Sequence, residues 1–259
     1  MKSNYSEIDE VIAYVHENIE ESLSLFQLAQ IAAYSPYHFS RIFKKQTGLS
    51  PNHYVTSFKI QKAKELLLTT DLRIRDVGME IGQQSLGTFT TRFRESVGVT
   101  PAQFRQSPEQ VTDYLQTLKS RGKLLSQALL QTSNQTVAGT VKASFPFHGL
   151  VFIGLFALPI PAGLPLYGTI LSSVGSFYFT NVRPGSYYLM ATAISWEMDH
   201  REILIPSQTL RAKIDTPIIV QMTTPPLKQH LTLRKAKLDD PPILISLPLL
   251  MKNYLNRET

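Results

Sequence analysis

The 259-residue sequence contains no cysteine. Disulfides, thiolate metal sites, cysteine nucleophiles and thiol redox sensing are therefore excluded together, and a zinc finger with them. Long apolar runs are also missing. The most hydrophobic segment, LVFIGLFALPIPAGLPL at 150–166, runs nine residues before its first proline. A membrane-spanning helix needs about 20 residues, and the three prolines that follow would break one. A membrane partner is not expected. The opening MKSNYSEIDE carries no apolar signal stretch, so a cytoplasmic location is expected. No His-x3-His pair, phosphate-binding glycine loop or locally supported Ser/His/Asp arrangement occurs. Asp239-Asp240 precedes Pro241-Pro242, which suits a turn better than a carboxylate dyad. These absences argue against an enzyme, and no cofactor is expected.

What is present is an ordinary globular composition, 43% hydrophobic and 18% charged, with a net charge of +6. Its length fits two domains. The charge is unevenly placed. Residues 1–108 hold 12 basic and 11 acidic residues, whereas residues 109–259 hold 14 and 9. Within the first segment, Glu7, Asp9, Glu10, Glu17, Glu20 and Glu21 crowd the start. The acid-free window 22–64 then carries Arg41, Lys44, Lys45, Lys59, Lys62 and Lys64. A solvated basic face and a nucleic-acid surface are both consistent with such a window.

The pattern inside the window narrows the choice. Ile8, Val11, Val15 and Ile19 recur at helical spacing, placing the early acids on the wet face of a first helix. Ser24 and Gln27 form a capping-box pattern, followed by Leu25, Leu28, Ala29 and Ala32 as a short buried face. Ser35-Pro36 starts a second short helix with Phe39, Ile42 and Phe43 inward. Tyr37, His38, Ser40, Arg41, Lys44 and Lys45 then face outward. Gly48 stops that helix and Ser50-Pro51 starts a longer one, to about Thr69. Two short helices with a tight turn between them make a helix-turn-helix.

The unit repeats 50 residues later. Ser35, Phe39, Phe43, Lys44, Gly48, Ser50, Pro51 and Tyr54 correspond to Ser85, Phe89, Phe93, Arg94, Gly98, Thr100, Pro101 and Phe104. Caps, core positions, stop glycine and restart proline all match. On LSLFQLAQIAAYSPYHFSRIFKKQTGLSPNHYV, the linker KIQKAKELLLTTDLRIRDVGMEIG and SLGTFTTRFRESVGVTPAQFR, residues 8–107 resemble the DNA-binding domain of the AraC/XylS family. Two positions depart from that family: Gln83 stands where an aromatic residue is usual, and Thr91 where an arginine often stands.

The resemblance implies a transcription regulator, most often an activator, whose partners are double-stranded DNA and RNA polymerase. Two recognition helices, about 36–47 and 86–96, would enter successive major-groove segments. Pro36, Tyr37, His38, Ser40 and Arg41 would face bases and Lys44 and Lys45 phosphates in the first. In the second, Leu86, Gly87, Thr88, Thr90 and Thr91 would lie near bases, with Arg92 and Arg94 on phosphates. A surface role is equally consistent for each threonine.

Residues 109–134 contain Val111, Leu115, Leu118, Leu125 and Leu129 at near-helical spacing and are read as a helical linker. Lys142 and Arg183 then bracket 40 residues without formal charge. Strands are expected at Val137–Val141, Leu150–Phe156, Ile203–Ile205, Pro217–Met222 and His230–Arg234. A β-hairpin is expected from Phe177 and Phe179 to Tyr187–Ala193 across Arg183-Pro184-Gly185. VAGTV, GLVFIGLF, AGLP and GSFYFTNVRPGSYYLMA resemble the transthyretin-like regulatory domain found beside carboxypeptidases. The terminal Tyr-Arg-Gly-Ser of the related purine-pathway hydrolases is not in this sequence, which ends Leu-Asn-Arg-Glu-Thr.

The expected architecture is thus an all-α double helix-turn-helix domain at 1–108, the linker at 109–134, and a transthyretin-like β-sandwich at 135–259. The sandwich would sense a small-molecule effector, dock a partner protein, or pair two copies in a homodimer. Trp196, Tyr187, Tyr188 and Phe156 are its candidate pocket residues, with core packing the alternative.

Overall fold

The computed structural model describes residues 5–121, 135–223 and 225–257. These fall into two compact units. One comprises residues 1–106 together with 237–245, and the other residues 107–236 together with 246–259.

The first unit is helical: α1 (Ser6–Glu17), α2 (Leu25–Ile31), α3 (Pro36–Thr47), α4 (Pro51–Thr69), α5 (Ile74–Glu80), α6 (Leu86–Val97) and α7 (Pro101–Arg105). The caps read from the sequence form as expected. Ser24 and Gln27 bond reciprocally across the first turn of α2, and Thr100 and Gln103 do so on α7. Ser35, Ser50 and Ser85 each accept the amide of the residue three positions on. Each such cap satisfies an amide that has no partner within its helix. Gly48 and Gly98 close α3 and α6 in the left-handed region, φ 87° and 89°. Phe39, Phe43, Tyr54, Phe89, Phe93 and Phe104, all fully buried, form the two small cores of the repeat.

The duplication is out of step by one residue. Helix α3 maps onto α6 with an offset of 50, but α2 maps onto α5 with an offset of 49. The second inter-helix turn is longer by one residue. Its left-handed position is Gly82, φ 76°, whereas the shorter first turn places Ala33 there, φ 53°. A non-glycine residue in that region carries about 1 kcal/mol of strain. The residue that the second turn adds is Gln84, since Gln83 matches Tyr34: the Gln83 amide donates to the Gly78 carbonyl at 2.8 Å as the Tyr34 amide does to Ala29 at 3.0 Å.

Two further contacts brace the unit. Gln46 is buried, donates to Asp9 Oδ1 at 2.6 Å and accepts the Tyr5 amide, tying α3 to α1. Arg105 donates to the carbonyls of Leu67 and Leu72 at 3.2 and 2.6 Å. Its cation thereby meets one carbonyl in the last turn of α4, at its negative dipole end, and one in the loop before α5.

The second unit carries α8 (Pro108–Arg121), α9 (His200–Leu204), α10 (Leu247–Arg257) and eight strands. The strands are β1 (Val137–Ala143), β2 (Gly149–Phe156), β3 (Tyr167–Leu171), β4 (Gly175–Phe179), β5 (Gly185–Ser195), β6 (Leu210–Lys213), β7 (Ile218–Val220) and β8 (Leu227–Leu233). Of the expected linker, residues 109–120 lie within α8, whereas Lys123, Leu125 and Leu129 lie outside the described residues. One sheet runs β4-β1-β8, with β1 and β8 parallel; the other runs β3-β2-β5-β6, with β7 also on β5. Val137, Val141, Phe177 and Leu231 from the first sheet share one apolar core with Val151, Ile153, Leu189 and Ala191 from the second.

The expected hairpin does not form. Strand β4 pairs with β1 and β5 pairs with β2, so the chain crosses between sheets at 180–184. The alternation of Phe177, Phe179, Tyr187 and Leu189 marks inward positions on two opposed sheets, and alternation alone does not distinguish this from a hairpin. Ile203–Ile205 is not a strand either. Asp199 caps α9 there by accepting the Arg201 amide at 2.7 Å, and Ile203 and Leu204 are its buried residues. Strands β3 and β6 escaped the sequence reading. Only the first part of the apolar run 150–166 is a strand: residues 150–156 lie in β2, which is buried at every residue, whereas Leu158, Leu164 and Leu166 beyond it are exposed. Among the described residues, no helix is long and apolar enough to cross a membrane.

Candidate nucleic-acid interface

Helix α3 presents a continuous polar face. Pro36, Tyr37, Arg41, Lys44 and Lys45 are exposed, Tyr37 to 83%, while His38 and Ser40 are half-buried. An exposed tyrosine beside exposed cations suits stacking or methyl contacts with nucleic acid. His38 packs edge-on against Tyr34 at 4.8 Å, and Ser40 donates its hydroxyl to the Pro36 carbonyl at 2.8 Å. That hydroxyl keeps its acceptor capacity on the outer side. Lys45 lies 3.3 Å from the Tyr5 hydroxyl and 5.7 Å from its ring centroid.

The matching face of α6 differs in chemistry. Leu86, Gly87, Thr88, Thr91, Arg92 and Arg94 are exposed, with Thr90 half-buried. The repeat places Gly87 at the position of Tyr37, Thr91 at that of Arg41, and Glu95 at that of Lys45. The second face is therefore smaller and less basic than the first. Gln83 accepts a hydrogen bond from Arg92 Nη1 at 3.1 Å, so the unusual residue in the turn orients a cation of the face. Thr88 Oγ1 accepts a hydrogen bond from the Ser85 hydroxyl at 2.8 Å. A Cβ built on Gly87 would meet nothing within 4 Å, so among the described residues no packing demands glycine there.

The basic window of the sequence is smaller than its formula. Lys62 pairs with Glu20 at 2.8 Å, and Lys59 donates to the Glu21 carbonyl at 2.9 Å. Lys64 is completely buried on α4, donating to the carbonyls of Ile243 and Leu244 at 3.2 and 3.3 Å, with the Phe104 ring 5.4 Å away. Burial pushes its ammonium down to about 7. Half of the six cations thus serve the fold, and Arg41, Lys44 and Lys45 on α3 are the remaining three. Of the early acids, Glu20 meets the window directly through Lys62, whereas Glu21 reaches Lys59 by its backbone carbonyl. Nothing in local sequence separates Lys64 from Lys62, since the segment that covers it comes from 180 residues later.

In the second unit, Tyr187 is buried and donates to the Arg183 carbonyl at 2.7 Å, while Lys119 stands over Trp196 at 5.7 Å. A cavity of about 90 Å³ lies elsewhere, lined by Phe152, Leu164, Ile170, Asn253, Tyr254 and Arg257 among others. None of the four aromatic residues named from the sequence lines it. Among the described residues, no group of three or more His, Cys, Asp or Glu could hold a metal ion.

A helix-turn-helix domain family matches residues 28–107, from α2 to the end of the second repeat. The HTH-type transcriptional activator AarP of Providencia stuartii is 30% identical over 108 residues, covering 42% of this chain and 80% of AarP. This chain belongs to the AraC family of helix-turn-helix proteins. Another relative, the HTH-type transcriptional regulator YobQ of Bacillus subtilis, is 36% identical over 96 residues, 37% of this chain. The chain spans only 40% of the length of YobQ. Among solved structures, the C-terminal domain of the response regulator AraT from Geobacillus stearothermophilus is similar at 30% identity. It covers 40% of this chain and 86% of that one, with a TM-score of 0.38. The family match at residues 28–107 takes in both repeats, from α2 to α7.

Proposed function

We propose that this AraC-family chain is a sequence-specific DNA-binding transcription regulator, acting as an activator, with α3 and α6 as its two recognition helices. The observation that carries this reading is the paired, capped α3 and α6, each with a buried phenylalanine face and an exposed polar face at matching positions. Arg41 would fork onto a guanine edge, with Tyr37, His38 and Ser40 beside it, and Lys44 and Lys45 would hold phosphates. The smaller α6 face, through Leu86, Gly87, Thr88, Thr90 and Thr91, would read by close approach and methyl contact, with Arg92 and Arg94 on the backbone. Helix α4 spans 19 residues, roughly 28 Å at 1.5 Å per residue. Such a strut suits two helices about one turn of DNA apart, on the order of 34 Å.

On this reading, residues 1–108 form the DNA-binding domain and 109–134 the linker. Residues 135–259 would be a transthyretin-like sandwich that takes an effector or assembles the protein, with RNA polymerase as the further partner of an activator. A partner-docking role without an effector is the second reading of that half. Exposed Leu158, Leu164 and Leu166 between β2 and β3 favour it.

Gly87→Ala separates a DNA role from a folding role. Alanine in an open helical position should stabilise the protein by about 0.5–1 kcal/mol. If the α6 backbone approaches DNA there, the same change should weaken specific binding by at least about tenfold. Thermal unfolding and a binding titration on one preparation measure both. A more stable variant with unchanged affinity would remove Gly87 from the interface.

A further inference from the structure

Residues 237–245 follow β8 in the chain yet belong to the N-terminal compact unit. The Tyr54 hydroxyl, in the first turn of α4, donates to the Leu238 carbonyl at 3.4 Å. Ten residues further along the same helix, Lys64 donates to Ile243 and Leu244. Ten helical residues rise about 15 Å, within reach of six residues of extended chain at about 20 Å. The segment is therefore laid along α4 in the direction of the helix. Ile243, Leu244 and Ile245 are at most 3% exposed, and Pro241-Pro242 brings no amide donors. Lys237 and Asp240 fold its entry into a turn, the Lys237 amide donating to Asp240 Oδ2 at 2.8 Å.

We propose that residues 237–245 are a tethered ligand of the DNA-binding unit, which by seating along α4 stiffens the strut between α3 and α6 and raises DNA affinity. The inference rests on the DNA-reading role given above. A stiffened strut pre-pays the ordering of the two recognition helices, so less is lost on binding. The tether gives the device its input. Strand β8 ends at Leu233 and α10 begins at Leu247, so each end of the segment runs within a few residues into an element of the other unit. A molecule that binds that unit and favours one position of β8 or α10 would change how often the segment is seated.

Coupling of this kind is reciprocal: if seating favours DNA, DNA must favour seating. The test is hydrogen exchange on the full chain, with and without a random-sequence duplex at low salt. Amides of α3 and α6 should be protected, and those of Ile243, Leu244 and Ile245 should slow by at least about fivefold. The variant Ile243→Ser/Leu244→Ser, which leaves residues 1–106 untouched, should bind the duplex at least about fivefold more weakly with the same salt slope. No phosphate contact is lost in it. Protection of α3 and α6 with no change at 243–245 would overturn the proposal. So would a variant whose loosened segment leaves affinity intact. If α3 and α6 themselves gained no protection, the DNA reading would fail and this inference with it. If the variant does not fold, the exchange comparison on the natural sequence decides.

Discussion

Lys64→Ala is expected to destabilise the N-terminal unit by about 2–4 kcal/mol. The substitution deletes a fully buried four-carbon stem, leaving a cavity, and removes the donor shared by the Ile243 and Leu244 carbonyls. Chemical unfolding followed by helical circular dichroism measures the loss. The single tryptophan, Trp196, lies in the other unit and reports that unit separately by fluorescence. Lys64→Met keeps the apolar stem and should cost less. It should also change the pH dependence. The Lys64 ammonium titrates near 7 when folded, against 10.5 for an ordinary lysine. Between those values the unfolded chain binds the extra proton, so stability of the unit rises with pH across that window and is lost on acidification towards 7. The methionine variant should lack the rise. Above about pH 10, Tyr54 works in the opposite sense. Burial, with Asp239 and Asp240 nearby, raises its hydroxyl well above the ordinary tyrosine range, so stability falls as alkali ionises tyrosine in the unfolded chain. A slope unchanged by Lys64→Met between about pH 7 and 9.5 would show that Lys64 is not the titrating group.

Arg41→Ala is expected to cost about 1–3 kcal/mol of specific binding, concentrated at one base position, with stability unchanged within about 0.5 kcal/mol. Arg41 is exposed on α3 above the buried Phe39 and Ile42, so its removal opens no cavity. Its guanidinium offers paired donors that match a guanine edge, and losing them relaxes preference at that position alone. Lys44→Ala should behave differently. It should weaken binding to every sequence alike and flatten the salt slope by about 0.9, one phosphate's share. Competition titrations against single-base variants of a bound site distinguish the two. If Arg41→Ala behaved as Lys44→Ala does, Arg41 would be a phosphate contact.

The helical half was legible because its signals are local. Ser24, Ser35, Ser50, Ser85 and Thr100 cap within three residues of themselves, and Gly48 and Gly98 stop helices within one turn. Phe39 and Phe89 announce the duplication because each small core repeats its packing. The expected α3 and α6 residues do share faces of single helices, since that follows from a period of 3.6. The illegible features depend on distant chain. Lys64 looks like any surface lysine until residues 243–244 arrive to cover it. The pairing of β4 with β1, rather than with β5, is set by which sheet each inward phenylalanine and tyrosine joins, and the period-2 pattern is the same in both arrangements. In α9, adjacent Ile203 and Leu204 satisfy a strand and a helix equally well, and the Asp199 cap decides between them.

The most direct test of the DNA reading is selection of bound duplexes from a random pool by the full-length chain. Two short preferred motifs should emerge, spaced about 10 base pairs apart on one face of the duplex. The motif assigned to α3 should be the stronger and contain a guanine whose preference disappears in Arg41→Ala. Enrichment of no motif, or of one that survives both Arg41→Ala and loss of the α6 face, would contradict the assignment of α3 and α6 as paired recognition helices.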